Sequence, residues 1–256
     1  MATLSAFDLS GKIALVSGAS RGIGRSIATT LAAAGAEVIL TSRKQEACED
    51  VAQAIRADGG LARAMSCHIG DPTAIEALLE GVRERYGRLD ILVNNAATNP
   101  HFGPIWETDA AAFEKTVDVN IRGYFFMSAG AAKLMMTQGG GAIVNIASVN
   151  GQVPGLMQGI YSITKAAVIS MTKAFAKELG PHGVRVNALL PGATDTRFAA
   201  ALLQNKAILT KALEHIPMGR VAEPDEMAGA VLFLASAAAS YVTGACLPVD
   251  GGYLVA

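Results

Sequence analysis

Residues 12–24, Lys12-Ile-Ala-Leu-Val-Ser-Gly-Ala-Ser-Arg-Gly-Ile-Gly24, join a short apolar run to glycines at a G-x-x-x-G-x-G spacing. The run predicts a buried strand, and residues 23–34 predict a helix that Gly35 closes. Glycines at such a turn let a pyrophosphate approach the backbone, and the helix amino terminus attracts its charge. Ordinary turn chemistry is the alternative. If the turn binds a dinucleotide, the predicted contacts are Gly18, Ser20, Arg21, Gly22, Ile23 and Gly24.

The same strand and helix rhythm continues along the chain. Strands that are apolar on both faces predict a parallel sheet covered by helices on each side, hence an α/β fold. We expect one domain over residues 1–256, with a candidate substrate lid at about 192–223 that includes a short helix at about 199–212. Further strands are predicted at 37–41, 64–69, 89–93, 142–146, 184–190 and 244–249, and helices at 45–57, from 72, at 110–136 and at 161–179.

Composition argues against several classes of function. The 256 residues are 51% hydrophobic and 17% charged, which indicates an ordered globular chain. A net charge of -1 with dispersed basic residues favours neither nucleic acid nor an anionic membrane. The three cysteines form no C-x-x-C pair, so we expect no metal site and a reducing compartment.

Targeting signals are not evident in the sequence. The first twelve residues carry no signal-peptide or transit pattern, and the last four match no peroxisomal or retention tail. The uncharged stretch 227–249 is interrupted by glycine, serine and proline, which favours a buried helix and strand over a membrane span. We therefore expect a cytoplasmic protein.

The end of the second strand indicates which dinucleotide is preferred. Sites for NAD usually place an acidic residue there, about 20 residues after the glycines, to hold the ribose 2′-hydroxyl. This chain has Thr41-Ser-Arg-Lys44 instead. Ser42, Arg43 and Lys44, with Arg21 from the glycine turn, would attract a 2′-phosphate through charge-assisted hydrogen bonds. We predict NADP(H), with solvated surface charge as the alternative.

Candidate catalytic residues follow the fourth and fifth strands. Tyr161 and Lys165 lie one helical turn apart, on one face, and a nearby cation lowers the pKa of a tyrosine by roughly one to three pH units. Helices also carry such pairs for solubility. Ser148 ends the fifth strand, where a hydroxyl contacts substrate or caps a turn. Asn120 is polar among apolar neighbours, and structural and functional roles are both open.

In order and spacing these motifs resemble those of the short-chain dehydrogenase/reductases, over Asp8 to Gly252. The resemblance implies a Rossmann-like, doubly wound seven-stranded sheet, and hydride transfer between NADP(H) and a ketone, an aldehyde or a secondary alcohol. The shared pieces are the glycine turn, Asn94-Asn-Ala-Ala97, Asn120, Ser148, Tyr161 with Lys165, Pro191-Gly192 and Val249-Asp-Gly-Gly252.

The resemblance also implies roles for individual residues. Tyr161 would give a proton to the carbonyl oxygen or remove it in reverse, and Ser148 would orient that oxygen. Lys165 would hold the nicotinamide ribose and lower the Tyr161 pKa, and Asn120 would support a water relay to Lys165. A homotetramer is implied, with the long fourth helix and the Tyr161 helix between subunits. Further residues implied along the cofactor are Asn95, Ala96, Pro191, Gly192, Thr194 and Thr196.

Within the family the sequence is most similar to NADP-dependent carbonyl reductases of retinal and aromatic ketones. Ser42-Arg-Lys-Gln45, Cys67-His-Ile-Gly70 and Thr98-Asn-Pro-His-Phe-Gly103 carry this likeness. His68 stands where an aspartate often lies beside the adenine. Either His68 and Ile69 contact the adenine, or His68 is a half-buried strand residue. Thr194 replaces a usual aliphatic residue.

A small hydrophobic carbonyl compound is the expected substrate. A 3-oxoacyl-[acyl-carrier-protein] reductase is the second interpretation, which needs a basic patch at the mouth of the site. A non-catalytic nucleotide-binding protein is a remote third, because all four catalytic residue types are present. Phe102, Trp106, Val153, Met157 and Phe198 line an apolar pocket or belong to the core. Candidates for the basic patch are Arg122, Arg197, Lys206 and Lys211.

Overall fold

The computed structural model describes residues 5–199, 209–210 and 213–256. Within this part of the chain, strands form one parallel sheet in the order β3-β2-β1-β4-β5-β6-β7. The predicted seven-stranded parallel sheet is confirmed. The strands are β1 (Ile13–Ser17), β2 (Glu37–Ser42), β3 (Leu61–Ser66), β4 (Ile91–Asn94), β5 (Gly141–Ile146), β6 (Val184–Pro191) and β7 (Cys246–Val249).

Helices connect the strands, and local sequence signals set their ends. The α-helices whose two ends both lie among the described residues are α1 (Gly22–Ala33), α2 (Gln45–Ala57), α3 (Pro72–Tyr86), α4 (Ala110–Val117), α5 (Tyr124–Thr137), α6 (Gly159–Leu179) and α7 (Asp225–Ala235). In α3, for example, the Asp71 side chain accepts a hydrogen bond from the Thr73 N–H, Pro72 occupies the first turn and left-handed Gly87 closes the helix.

Both faces of the sheet are covered. Alternate strand residues point to opposite sides, so Val38 and Leu40 pack with α1, α2 and α7, whereas Ile39 packs with α3, α5 and α6. Each face has its own apolar core, which explains why the strand sequences are apolar throughout. The doubly wound α/β architecture is therefore confirmed.

Two further strands, β4 and β7, each begin two residues later than predicted, and the larger differences concern the third strand and the long helix. The third strand ends at Ser66, three residues earlier than predicted, because its partner β2 ends at Ser42, which pairs with Ser66. The strand lies at the edge of the sheet, where polar residues are tolerated. The predicted long helix at 110–136 is divided by a π-helical turn at Asp118–Gly123. At Gly123 a Cβ atom would collide with the carbonyl oxygen of Ile69, so the turn brings the helix against the loop after β3.

The predicted lid segment follows β6. Its two ends are held together, because the Ala222 N–H donates to Ala193 O at 2.9 Å and the Asp195 N–H donates to Ala222 O at 2.8 Å. A 3₁₀ turn covers Arg197–Ala199. Most of the predicted helix at 199–212 lies outside the described residues. No helix in the described ranges is long and apolar enough to cross a membrane.

Candidate active site

Turns from three different strands meet at the carboxyl edge of the sheet. Gly18 and Gly22 have φ angles of +65° and +54°. A Cβ atom on Gly18 would lie 2.8 Å from the Cα of Ala96, and one on Gly22 would lie 3.3 Å from Cγ2 of Thr196. The glycine turn thus touches both the loop after β4 and the segment after β6. This edge is where ligands bind in doubly wound sheets.

The amino terminus of α1 is free of side-chain caps. Arg21 is the N-cap residue, and no side chain hydrogen-bonds the first turn there. A Cβ atom on Gly24 would collide with Gly18 O, so the turn must stay tight. Ser20 and Ile23 flank this turn and are half-buried. N–H groups at a helix start that no capping side chain binds fit a pyrophosphate.

Asn95 fixes the glycine turn from the neighbouring loop. Its Nδ2 atom donates to Ser17 O at 2.9 Å and to Gly18 O at 3.2 Å. The N–H groups of Asn95 and Ala96 both donate to Ser17 Oγ, at 2.9 and 3.1 Å. The Nδ2 group of Asn95 therefore donates its hydrogen bonds to the protein backbone. It therefore shapes the cleft in which it was predicted to lie.

The end of β2 carries cations without a carboxylate partner. Arg43, Lys44 and Arg21 are exposed, and none of the ion pairs between described residues includes them. Ser42 Oγ donates to Lys44 O at 2.9 Å and accepts from the Cys48 thiol at 3.2 Å. A 2′-phosphate at this position would meet basic side chains that form no ion pair among the described residues.

His68 lies beyond the end of β3, so its interpretation as a half-buried strand residue is wrong. It is exposed, and its Nδ1 atom accepts a hydrogen bond from the Gly70 N–H at 3.1 Å. Ile69 beside it is buried. The exposed ring is available to a ligand at this edge of the sheet.

The segment after β6 is rigidly attached to the sheet. Pro191 ends the strand, and the Gly192 N–H donates to Val249 O at 3.0 Å. Thr194 is buried, and its hydroxyl donates to Gly192 O at 3.0 Å. The polar side chain that replaces the usual aliphatic residue is therefore satisfied within its own turn. Thr196 follows and reaches Gly22, as described above.

Ser148 and Tyr161 are brought into hydrogen-bond contact, and each is 8% exposed. Burial raises the pKa of Tyr161, and the Ser148 hydrogen bond opposes that rise. Ser148 Oγ also accepts from the Asn150 N–H at 3.1 Å, capping the 3₁₀ turn Val149–Gly151. The two interpretations of Ser148, turn residue and site residue, are thus compatible.

Lys165 lies beneath Tyr161 and is 1% exposed. Its Nζ atom is 5.6 Å from the centre of the Tyr161 ring and donates to Ile146 O at 2.6 Å. Burial lowers the pKa of Lys165 to about 7. The predicted lowering of the Tyr161 pKa is wrong in direction, because desolvation of the phenol outweighs the Ser148 hydrogen bond that opposes it.

Asn120 is completely buried in the π-helical turn. Its Oδ1 atom accepts from the Thr98 N–H at 2.9 Å, and Nδ2 donates to Thr98 O and to Thr164 Oγ1, both at 3.0 Å. The Thr164 hydroxyl in turn donates to Tyr161 O at 2.7 Å. The amide thus contacts Thr98 and Thr164 rather than Lys165, and it links the loop after β4 to the helix of Tyr161.

Phe198 packs against Tyr161, and the other predicted pocket residues are exposed. The Phe198 and Tyr161 rings have centroids 5.4 Å apart and planes inclined by 47°. The Met157 backbone is in the left-handed region, at φ 65°, and its carbonyl oxygen accepts a hydrogen bond from the Gly103 N–H at 2.9 Å. The alternative of ordinary core packing is wrong, because all five predicted pocket residues are at least a third exposed; they are Phe102, Trp106, Val153, Met157 and Phe198.

The predicted basic patch is only partly described. Arg122 donates to Gly70 O at 3.1 Å and pairs with Asp118 at 2.9 Å, and Arg197 is exposed. Lys206 and Lys211 lie outside the described residues. No cluster of three metal-binding side chains occurs in the ranges that the structure describes.

The sequence patterns do not predict two partners of the candidate catalytic residues. Thr164 bonds Asn120, as given above, and the fully buried Tyr124 places its hydroxyl 3.5 Å from Lys165 Nζ. In the sequence, only their positions indicate these two partners: Thr164 directly precedes Lys165, and Tyr124 lies four residues after Asn120. That spacing indicates a neighbour on a helix face but not which polar atom it meets.

Comparisons with known proteins agree with this geometry. A family model described as Enoyl-(Acyl carrier protein) reductase matches residues 18–254. The chain is 36% identical over 244 residues to Dehydrogenase/reductase SDR family member 4 of Oryctolagus cuniculus, covering 95% of this chain and 94% of that protein. It is 39% identical over 249 residues to L-rhamnose 1-dehydrogenase (NAD(P)(+)) of Azotobacter vinelandii, covering 95% and 97%.

A solved structure extends the comparison to three dimensions. The crystal structure of a gluconate 5-dehydrogenase from Burkholderia cenocepacia, in complex with NADP and tartrate, superposes with a TM-score of 0.96 at 33% identity, covering 99% of both chains. Fold, family model and sequence relatives therefore agree over almost the whole length. The chain belongs to the short-chain dehydrogenase/reductase family of oxidoreductases.

Proposed function

We propose that this protein transfers a hydride between NADP(H) and a ketone, an aldehyde or a secondary alcohol, with Tyr161 as the acid/base. One observation carries the proposal: a buried tyrosine, hydrogen-bonded to Ser148 and 5.6 Å above the Lys165 amine, lies at the sheet edge that also holds the glycine turn. A phenol in that setting, beside a hydroxyl that can hold a carbonyl oxygen, suits proton transfer to a substrate.

The cofactor is NADP(H). The glycine turn and the uncapped start of α1 hold its pyrophosphate. Arg43, Lys44 and Arg21 would hold the 2′-phosphate together with the Ser42 hydroxyl, since the three basic side chains are exposed and form no ion pair among the described residues. NADP in the gluconate 5-dehydrogenase crystal structure supports this choice. The remaining cofactor contacts are His68 and Ile69 at the adenine, Asn95 and Ala96 along the cleft, and Pro191, Gly192, Thr194 and Thr196 with Lys165 near the nicotinamide.

When bound, the nicotinamide supplies or accepts the hydride. The chain supplies the proton and the geometry. Ser148 Oγ donates to the substrate oxygen and polarises the carbonyl, and the Tyr161 hydroxyl delivers its proton to that oxygen. The Lys165 ammonium stabilises the phenolate that remains. Asn120 holds the backbone beneath Tyr161 through Thr164, and its place beside the Lys165 helix also suits the predicted support of a water relay.

The protonated state of Tyr161 suits its role as the acid in carbonyl reduction. Because burial raises the pKa of Tyr161 above its ordinary value of about 10, the phenol carries its proton at neutral pH. A protonated phenol is ready to act as an acid, whereas alcohol oxidation requires it to lose that proton first. Oxidation should therefore become faster at alkaline pH.

The substrate class is a carbonyl compound with an apolar substituent. The Phe198 ring lies 5.4 Å from that of Tyr161, and Val153 and Met157, in the segment between Ser148 and Tyr161, are exposed. These surfaces suit hydrophobic ketones better than sugars. The second candidate, 3-oxoacyl-[acyl-carrier-protein] reductase, keeps the same chemistry, but Arg122 is already paired with Asp118. A non-catalytic nucleotide-binding role would give no function to the contact between Ser148 and Tyr161, so we rank it last.

Assembly as a homotetramer fits the outer surface of α5 and α6. Phe125 and Phe126 on α5 are 46% and 43% exposed, and the Phe125 ring lies 5.4 Å from that of Phe175 on α6. Exposed aromatic rings in contact across two helices are typical of a protein interface. The three free cysteines are consistent with a cytoplasmic location.

A labelled-hydride experiment tests the proposed function. The enzyme is incubated with NADPH deuterated at the transferable position and with a panel comprising an aromatic ketone, an apolar aldehyde, an aldose and an acetoacetyl thioester. We expect deuterium at the carbinol carbon of the aromatic product, with turnover above that of the aldose and the thioester. Preference for the thioester would favour the second candidate. No deuterium in any product would contradict the proposal.

A further inference from the structure

Tyr124 is a fully buried tyrosine to which neither the family resemblance nor the proposed mechanism gives a role. It begins α5, directly after the π-helical turn, and none of its surface is exposed. Its hydroxyl donates to Ile146 O at 3.1 Å. Ile146 is the last residue of β5, two residues before Ser148. The Tyr124 side chain therefore reaches through the core to the base of the candidate active site.

The same carbonyl holds Lys165. Its Nζ atom donates to Ile146 O at 2.6 Å and to Tyr124 Oη at 3.5 Å. It also lies 5.1 Å from the centre of the Tyr124 ring and 5.6 Å from that of Tyr161. The amine is thus placed between two tyrosine rings, and a carbonyl with two lone pairs accepts from both Tyr124 and Lys165.

A buried ammonium needs compensation, and carboxylates do not provide it here. Among the described residues Lys165 forms no ion pair with an acidic side chain. The titratable groups in contact with it are Tyr124 from α5 and Tyr161 from its own helix, and β5 contributes only the Ile146 carbonyl. The charge therefore depends on two oxygen acceptors and two ring faces.

We propose that Tyr124 is a positioning residue that holds the Lys165 side chain beside Tyr161 and keeps it charged. The hydroxyl accepts from Nζ, and the ring face attracts the cation. The consequence for catalysis rests on the proposed function, whereas the effect on the amine does not. If Tyr124 only filled core volume, removal of its hydroxyl would leave Lys165 unchanged.

The direct test is a titration of Lys165 by NMR, with carbon-13 at the lysine Cε and Lys165→Arg used to assign the signal. Tyr124→Phe keeps the ring and the volume but removes the acceptor. We expect the midpoint to move to lower pH by roughly 0.5 to 1 pH unit, because the charged form loses a hydrogen bond. An unchanged midpoint, or a move to higher pH, would overturn the proposal.

Tyr86→Phe is the matched control. The Tyr86 hydroxyl donates to Glu37 at 2.8 Å, at the other end of the sheet, so its loss also breaks one phenol hydrogen bond. The Lys165 midpoint should not move in this variant. Should Tyr124→Phe fold poorly, Tyr124→Met serves instead, with a move to lower pH at least as large because the ring is lost as well.

Activity gives a second readout. In ketone reduction with NADPH, Tyr124→Phe should shift the alkaline limb of kcat/KM to lower pH by the same interval as the NMR midpoint. A shifted NMR midpoint together with no ketone turnover in the unaltered enzyme would refute the proposed function and leave the role of Tyr124 intact. An unmoved midpoint in an active enzyme would refute the role of Tyr124 alone.

Discussion

Replacing Lys165 by methionine should remove activity and raise stability at neutral pH. The side chain is 1% exposed, and burial lowers its pKa from 10.5 to about 7. At about 1.4 kcal/mol per pH unit, this difference means that the charged amine lowers the free energy of unfolding by about 5 kcal/mol. Methionine fills a similar volume without a charge.

The net gain is smaller than that figure. The substitution also removes the Nζ donor from Ile146 O, which costs about 1–3 kcal/mol. Ile146 O keeps the hydroxyl of Tyr124, so it stays paired. We therefore expect Lys165→Met to raise the free energy of unfolding by about 2–4 kcal/mol at pH 7.

The pH dependence gives the sign of the effect. The unfolded chain binds the Lys165 proton up to about pH 10.5, whereas the folded chain releases it above about pH 7. The penalty is complete below the folded pKa and disappears as pH rises toward the unfolded pKa, so stability from this group increases between those values. The advantage of the methionine variant should shrink over the same interval.

Urea unfolding of the wild type and of Lys165→Met at several pH values between 6 and about 10 measures this difference. Lys177→Met, an exposed lysine on the same helix, is the control and should show no such dependence. A methionine variant that is less stable than the wild type at pH 7, or whose advantage does not change with pH, would refute the reasoning.

Two further predictions concern cofactor choice and assembly. Arg43→Ala should raise the KM for NADPH by about 10- to 100-fold, because a charge-assisted contact worth about 1.5–3 kcal/mol is lost. The kinetics with NADH should stay unchanged. An equal effect on both cofactors would contradict the assignment of Arg43 to the 2′-phosphate. Phe125→Glu should convert the proposed homotetramer into smaller species in sedimentation velocity, whereas Phe7→Glu, an exposed aromatic outside the long helix and the Tyr161 helix, reports on charge alone. An unchanged assembly in Phe125→Glu would exclude this interface.

Sequence patterns predicted the parts of the site that depend on local spacing. The glycine turn, Ser148 at a strand end, and Tyr161 with Lys165 on one helix face all follow from residue order. The turn and strand-end positions are fixed by the parallel βα topology, which brings every strand's carboxyl end to one edge. The sequence predicts that topology because the strands are apolar on both faces.

Features that depend on packing were not predictable. The π-helical turn at Asp118–Gly123 has the composition of an ordinary helix, and only the close approach of Gly123 to the loop after β3 distinguishes it. The direction of the Tyr161 pKa was wrong because spacing reports a neighbouring cation but not the burial of the phenol. His68 was placed in a strand because β3 lies at the sheet edge, where the apolar alternation is weak.

The central claim is that the Tyr161 hydroxyl delivers the proton to the reduced carbonyl. Tyr161→Phe keeps the ring packed against Phe198 and removes only that hydroxyl. In a single-turnover experiment with saturating NADPH and an aromatic ketone, we expect the rate of NADPH oxidation to fall by about 10²- to 10⁴-fold while NADPH affinity stays within about threefold. A variant that oxidises NADPH at close to the wild-type rate would contradict the account.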